Sequence, residues 1–183
     1  GVDTTLGPEM KSTGEVMGVG IDFPTAFAKA SLAAGDGLPR GGSAFLSVAD
    51  AEKDALILMA LVLSSSGFKI LATEGTHRAL RLNGIESEPV LKHTEGEEMR
   101  AAAGGTRSAP GTSDVVTIVD RIEAGEIDLV INVPRGRGAR TDGYEIRRAA
   151  LQHGVPTMTN AAAAHAVVQA IASASRNLEI DVV

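Results

Sequence analysis

Short apolar runs alternate along the chain with longer amphipathic or alanine-rich stretches. Phe23–Ala34 (FPTAFAKASLAA) predicts a helix, with Asp22 as N-cap and Pro24 in the first turn. Gly35–Gly42, four of whose residues are glycine, reads as a linker. Ala44–Val48 is a short apolar strand, after which Asp50 caps a long helix running to about Ser66 and ended by Gly67. Phe68–Ala72 is a second strand. Thr73-Glu74-Gly75-Thr76 reads as a turn leading into a helix to about Leu82, closed by Asn83-Gly84. Glu88–Leu91 predicts a third, short strand. Residues 93–113, rich in Gly, Ala, Ser, Thr and charge, read as a long mobile loop. Asp114 then caps a helix to Ala124, followed by strand Asp128–Val133 and a Gly/Arg loop over Pro134–Arg140. A helix over Asp142–Gln152 is broken by Gly154, Pro156–Met158 is the last strand, and Asn160 caps a final helix to about Ala174.

Strands that are nearly continuous apolar runs, each followed by a helix, point to a parallel sheet covered on both faces. The expected fold is therefore α/β: a doubly wound three-layer sandwich with roughly five parallel strands. Ligands of such folds sit beyond the carboxyl ends of the strands. The boundaries that follow are a glycine-rich segment 1–20 made to pack on something else, a lead-in helix and linker over 21–42, the α/β domain over 43–176, and a tail at 177–183. There is no internal repeat.

Composition narrows the partners. Seventeen basic residues against 23 acidic ones give a net charge of −6, with one Tyr, four Phe and no Trp. A chain of this kind lacks the basic face and stacking aromatics of a general nucleic-acid binder. The absence of cysteine excludes a disulfide scaffold, Cys-based zinc sites and thiol catalysis, and fits a cytoplasmic setting. The longest apolar run, Ala55–Leu63, has nine residues, against the ~20 a spanning helix needs, so no membrane partner is expected. Gly1-Val2-Asp3-Thr4-Thr5 carries neither an initiating Met nor a signal pattern, which predicts a cut inside a longer protein.

Three strand-end segments carry candidate chemistry. Thr73 and Thr76 bracket Gly75 at the start of a helix, where two hydroxyls and a closely approached backbone can meet a phosphate; plain N-capping is the alternative. Arg135, Arg137 and Arg140 stand among glycines after a strand, either as an anion-binding cluster or as a solvated loop. Lys92 follows the short third strand, as a ligand contact or as an ordinary surface charge. His77, His93, His153 and His165 show no zinc spacing, so no metal site is expected. No Walker A, G-x-S-x-G or complete G-x-G-x-x-G motif is present; Gly136-Arg137-Gly138 lacks the third glycine.

Leu6-Gly7-Pro8-Glu9-Met10-Lys11-Ser12-Thr13-Gly14-Glu15-Val16-Met17-Gly18 resembles the segment that joins the second ATP-grasp half to the C-terminal domain in carbamoyl phosphate synthetase large subunits. Leu46-Ser47-Val48, Ala72–Thr76, Asp128–Asn132 and Tyr144–Ala150 are similar to that family's C-terminal allosteric domain, of the methylglyoxal-synthase-like superfamily. The resemblance covers the chain apart from the loop near 97–113 and the last residues. It implies a regulatory piece of a ligase that makes carbamoyl phosphate for arginine and pyrimidine synthesis, non-catalytic by itself and without a cofactor of its own. The parent is expected to use ATP with Mg and K ions bound outside this piece. Implied partners are the catalytic halves of the same chain, the glutaminase small subunit and a nucleoside monophosphate effector such as UMP or IMP.

Residue by residue, the resemblance assigns the effector site to Arg40, Thr73, Gly75, Thr76, Lys92, Asn132 and Arg135. Arg40 stands where the family has a lysine near the phosphate. Val133-Pro134 replaces a Thr-Thr pair, which removes a hydroxyl and a backbone donor there. Thr157 and Thr159 are assigned to an ornithine pocket, Thr157 standing in for a familiar tyrosine. Two other readings compete. A methylglyoxal synthase, which eliminates phosphate from dihydroxyacetone phosphate, needs an Asp base, for which Asp114 is placed, and a His partner, which is missing between Asn132 and Gln152. A docking or oligomerisation module would need no ligand at all.

Overall fold

The structure, a computed structural model, describes residues 16–35, 37–102, 115–133 and 140–175. The expected fold is present. Five strands, β1 (Gly42–Val48), β2 (Phe68–Ala72), β3 (Glu88–Pro89), β4 (Leu129–Val133) and β5 (Thr157–Met158), form one sheet in the order β3-β2-β1-β4-β5. Every pairing is parallel. Among the described residues, seven α-helices accompany them: α1 (Phe23–Ala33), α2 (Lys53–Ser65), α3 (Glu74–Leu82), α4 (His93–Ala102), α5 (Ile118–Glu123), α6 (Arg140–Gln152) and α7 (Ala161–Ser175).

Strand alternation sends neighbouring residues to opposite faces, and that divides the core in two. Ala44, Leu46, Ile70, Ala72, Leu129 and Ile131 meet Leu56, Met59 and Leu63 of α2, Leu80 of α3 and Val167, Val168 and Ile171 of α7. Phe45, Leu71 and Val130 meet Ile118, Val119 and Ile122 of α5 and Ile146, Ala149 and Ala150 of α6. Both faces of the three longer strands are therefore buried, which is why they read as continuous apolar runs. Each fully buried Leu or Ile contributes about 1.5–3 kcal/mol.

Local chemistry sets the ends. Asp22 accepts from the Thr25 amide at 2.9 Å and starts α1, and Asn160 accepts from the Ala163 amide at 2.8 Å and starts α7. Gly67 stops α2 with φ 87°, a conformation costly for residues with a Cβ.

Four local expectations are corrected. Asp50 does not cap α2; it opens a 3₁₀ turn, Asp50–Glu52, and its carboxylate pairs with the Lys53 amine at 2.7 Å. Thr73–Thr76 is not a free turn, because α3 has begun at Glu74. Residues 93–102 are helix rather than loop, since tertiary contacts stabilise a segment with little apolar periodicity. Buried Arg100 at its end donates to the Asp120 carboxylate at 2.5 Å and to the Val115 carbonyl at 2.7 Å. The cap of α5 is Thr117, in a reciprocal capping box with Asp120; Asp114 lies outside the described residues. The described end of segment 1–20 packs against the lead-in helix. A Cβ at Gly18 would come within 1.9 Å of the Ala26 carbonyl oxygen, so the backbone there rests directly on α1.

Candidate functional site

The chain lays down β1, β2 and β3 in one direction and then crosses to the other side of β1 for β4. That reversal leaves a crevice beyond the carboxyl ends of β1 and β4, where ligands of open parallel sheets bind. Register fills it with polar residues. Ser47 pairs with Asn132, and Leu46 pairs with Ala72, which brings Thr73 level with Ser47. The resulting cavity, about 420 Å³, is lined by Ser47, Asp50, Lys53, Thr73, Gly75, Thr76, Lys92, Asn132, Asp142 and Gly143, among others.

The floor is the start of α3. Thr73 stands at its N-cap position, yet its side chain does not cap the helix. Its hydroxyl donates instead to Thr76 Oγ1 at 3.3 Å, and the Val48 amide reaches the same oxygen at 3.5 Å. Both threonines are buried, at 6% and 1% exposure. The first-turn N–H groups of α3 thus lack a side-chain cap and point into the crevice, a favourable place for an anion. Gly75 keeps the approach open: a Cβ there would lie 3.6 Å from the Lys53 amine.

Two lysines border this floor. Lys53 comes from the first turn of α2 and Lys92 from the residue before α4. Glu95 serves α4 as a back-reaching cap, its Oε2 accepting from the Lys92 amide at 2.9 Å, while its Oε1 lies 3.5 Å from the Lys92 amine. Opposite them, Asn132 is 4% exposed and its Nδ2 atom has no hydrogen-bond partner. A buried amide donor left unmade costs about 1–3 kcal/mol, which a ligand acceptor would recover. The Asp142 carboxylate is occupied, accepting from both the amide and the hydroxyl of Thr94 at 2.8 Å. This pair joins α4 to α6 at the rim.

Of the residues expected at an effector site, Thr73, Gly75, Thr76, Lys92 and Asn132 converge on this crevice. Arg40 does not. It precedes β1, at the opposite end of the sheet, and the seven-residue strand at about 3.3 Å per residue puts it roughly 20–25 Å away. Arg135 lies outside the described residues. Lys53 is the residue that sequence reasoning missed. It looks like any lysine at the start of an amphipathic helix, and only the pairing of β1 with β2 carries it to α3.

Thr157 and Thr159 lie elsewhere. Thr157 opens β5, donates to the Val155 carbonyl at 3.1 Å, and lines a cavity of about 800 Å³ with Phe27, Leu38, Asp128 and Val167. Thr159 is exposed beyond the strand and does not line that cavity. This second cavity is the larger, but its polar groups are scattered along apolar walls. The smaller crevice gathers hydroxyls, ammonium groups and an orphaned amide at a helix N-terminus, and chemistry rather than volume marks it as the site. Among the described residues, no group of three or more His, Cys, Asp or Glu is placed to hold a metal ion. Nor is any helix long and apolar enough to cross a membrane.

An all-parallel sheet in the order β3-β2-β1-β4-β5, with a polar crevice at its switch point, defines a doubly wound α/β ligand-binding class. Residues 55–159 match the model of the MGS-like domain family, and the chain belongs to that family. It is similar to the carbamoyl phosphate synthase large chain of Kineococcus radiotolerans, with 51% identity over 173 residues, covering 94% of this chain and 14% of that protein. The large chain of an Arthrobacter species is 49% identical over 170 residues, covering 93% of this chain and 14% of that protein. That of Renibacterium salmoninarum is 48% identical over 181 residues, 99% of this chain and 15% of that protein. The chain therefore spans 14–15% of the length of these curated relatives.

Proposed function

We propose that this domain is the regulatory module of a carbamoyl phosphate synthase large chain, and that its crevice binds a nucleoside monophosphate of the UMP or IMP type. One observation supports the reading above all others. Thr73, Thr76, the uncapped first turn of α3, Lys53, Lys92 and the unpartnered Asn132 amide converge at the switch point. Those groups are donors or cations, as a dianionic phosphate requires. The phosphate sits over Gly75 and Thr76, and Asn132 donates to the nucleoside. Binding there feeds into α4 through Lys92 and into α6 through the Thr94–Asp142 pair.

The domain regulates and the rest of the parent carries out the chemistry. ATP, its Mg ions and the monovalent cation belong to the catalytic halves, and glutamine hydrolysis to the small subunit. Ile21 and Phe23, 94% and 65% exposed, supply apolar area for contact with those halves. The ornithine assignment rests on Thr157 and Thr159 alone, of which only Thr157 lines the second cavity.

The test is thermal denaturation of the domain with UMP, IMP and dihydroxyacetone phosphate. A rise in melting temperature with a nucleotide, without turnover of the triose phosphate, is the expected outcome. Turnover would favour a phosphate-eliminating lyase, and no response to any of the three would favour a docking module.

A further inference from the structure

Both lysines of the crevice are held by a carboxylate three residues away in sequence. The Lys53 amine lies 2.7 Å from Asp50 Oδ1, and the Lys92 amine lies 3.5 Å from Glu95 Oε1. The two pairs flank the start of α3 from different elements, and both are partly exposed pairs of the kind that contribute little to folding. Asp50 is 95% exposed, on a 3₁₀ turn that makes no side-chain cap. Glu95 caps α4 through its other oxygen, so that hydrogen bond persists if the ammonium leaves. Lys53 and Lys92 are 23% and 39% exposed, positioned between solvent and the helix terminus. Each ammonium therefore has two possible anionic partners, its local carboxylate or a ligand over Gly75.

We propose that Asp50 and Glu95 are built-in competitors for the two lysines, and that they temper the crevice's hold on an anion, on a doubly charged phosphate more than on a singly charged one. The inference rests on the nucleotide-binding reading above. A ligand that recruits Lys53 and Lys92 must draw both from carboxylates already in contact. A dianion draws both ammonium groups away and then stands beside both displaced carboxylates with twice a monoanion's charge, so the competition costs it more. The pairs are partly exposed, so each competition is modest and salt-sensitive. The opposite role is equally definite in its consequences. If the carboxylates serve to hold the lysines in position for the ligand, removing their charge weakens binding.

Asp50→Asn and Glu95→Gln separate the two roles, since Asn and Gln keep the size and, at position 95, the capping oxygen. Calorimetric titration of the domain with UMP and with its phosphate methyl ester, a monoanion, is the measurement. Each substitution is expected to tighten UMP binding about two- to fivefold. UMP should gain more than the methyl ester, so the preference for the dianion widens in the double variant, and the gain should shrink at high salt. Unchanged or weaker binding of both ligands by folded variants would overturn the proposal. So would tightening of equal size for the two ligands. If the unsubstituted domain binds neither ligand, the nucleotide reading itself fails, and that outcome is distinct from the other two. Circular dichroism of Glu95→Gln shows whether α4 is retained; should it be lost, Asp50→Asn alone decides the matter.

Discussion

Thr76 keeps its hydroxyl in a nearly closed pocket: the residue is 1% exposed, receives a hydrogen bond from Thr73, and stands in the first turn of α3. Thr76→Val preserves the volume and removes the oxygen, and Lys92→Ala removes a charge. A hydrogen bond to a charged group is worth about 1.5–3 kcal/mol, so each change should weaken nucleoside monophosphate binding roughly ten- to a hundredfold in a calorimetric titration. Lys53→Ala should do the same, because its amine lies over Gly75. Arg40→Ala should leave affinity unchanged, since Arg40 stands before the other end of β1. These four residues show how much of the site was legible. Threonines around a glycine after a strand announce themselves, as does a lysine after a strand. Arg40 precedes the strand Ala44–Val48 and Lys53 follows it, so which end each occupies was readable; that α3 lies beside Lys53 follows only from the pairing of β1 with β2.

At the scale of elements, α4 and α5 are clamped by a buried polar cluster. Arg100 donates to Asp120, and Asp120 also accepts from the amide and hydroxyl of Thr117, both at 2.7 Å. Gly96 of α4 packs against the same threonine: a Cβ there would meet Thr117 Cγ2 at 2.1 Å. Gly96→Ala gains about 1 kcal/mol of helix propensity. The overpacking it forces costs about 1–3 kcal/mol, and Thr117, 0% exposed and fixed by its hydrogen bonds, cannot move aside. A net loss of stability in denaturant titration is the expected outcome.

The cluster also has a pH signature. Burial pushes the Asp120 carboxyl up, but hydrogen bonds from Thr117 and then the Arg100 guanidinium outweigh it and hold the group below its ordinary 3.8. The folded state therefore binds this proton less readily than the unfolded chain. The stability it contributes is fully present above that ordinary value and is lost as pH falls through the lower folded value. Melting temperature should decline below about pH 4, less steeply in Asp120→Asn. None of this was visible in the sequence of α4. HTEGEEMRAA lacks an apolar stripe, and its helix depends on Arg100 and Thr94 finding partners 20 and 48 residues away.

Across the whole molecule, the sheet was the easiest feature to foresee, because burial on both faces writes each strand as an apolar run between glycine or cap signals. Phe68–Ala72 coincides with β2 residue for residue, while the edge strands β3 and β5 shrink to two residues each. Edges have a neighbour on one side only, so apolar content overstates their length. The order of strands, and hence the position of the crevice, follows from the crossover after β3 rather than from any single segment. That crossover makes separate signals at Thr73, Lys92 and Asn132 into one site.

The most direct test of that site is a titration of UMP into the domain and into its Thr76→Val, Lys92→Ala and Arg40→Ala variants. Saturable binding by the unsubstituted domain and by Arg40→Ala, with losses of roughly ten- to a hundredfold in the other two, is the predicted result. Binding left intact by both Thr76→Val and Lys92→Ala, or no saturable binding by the folded domain at all, would contradict it.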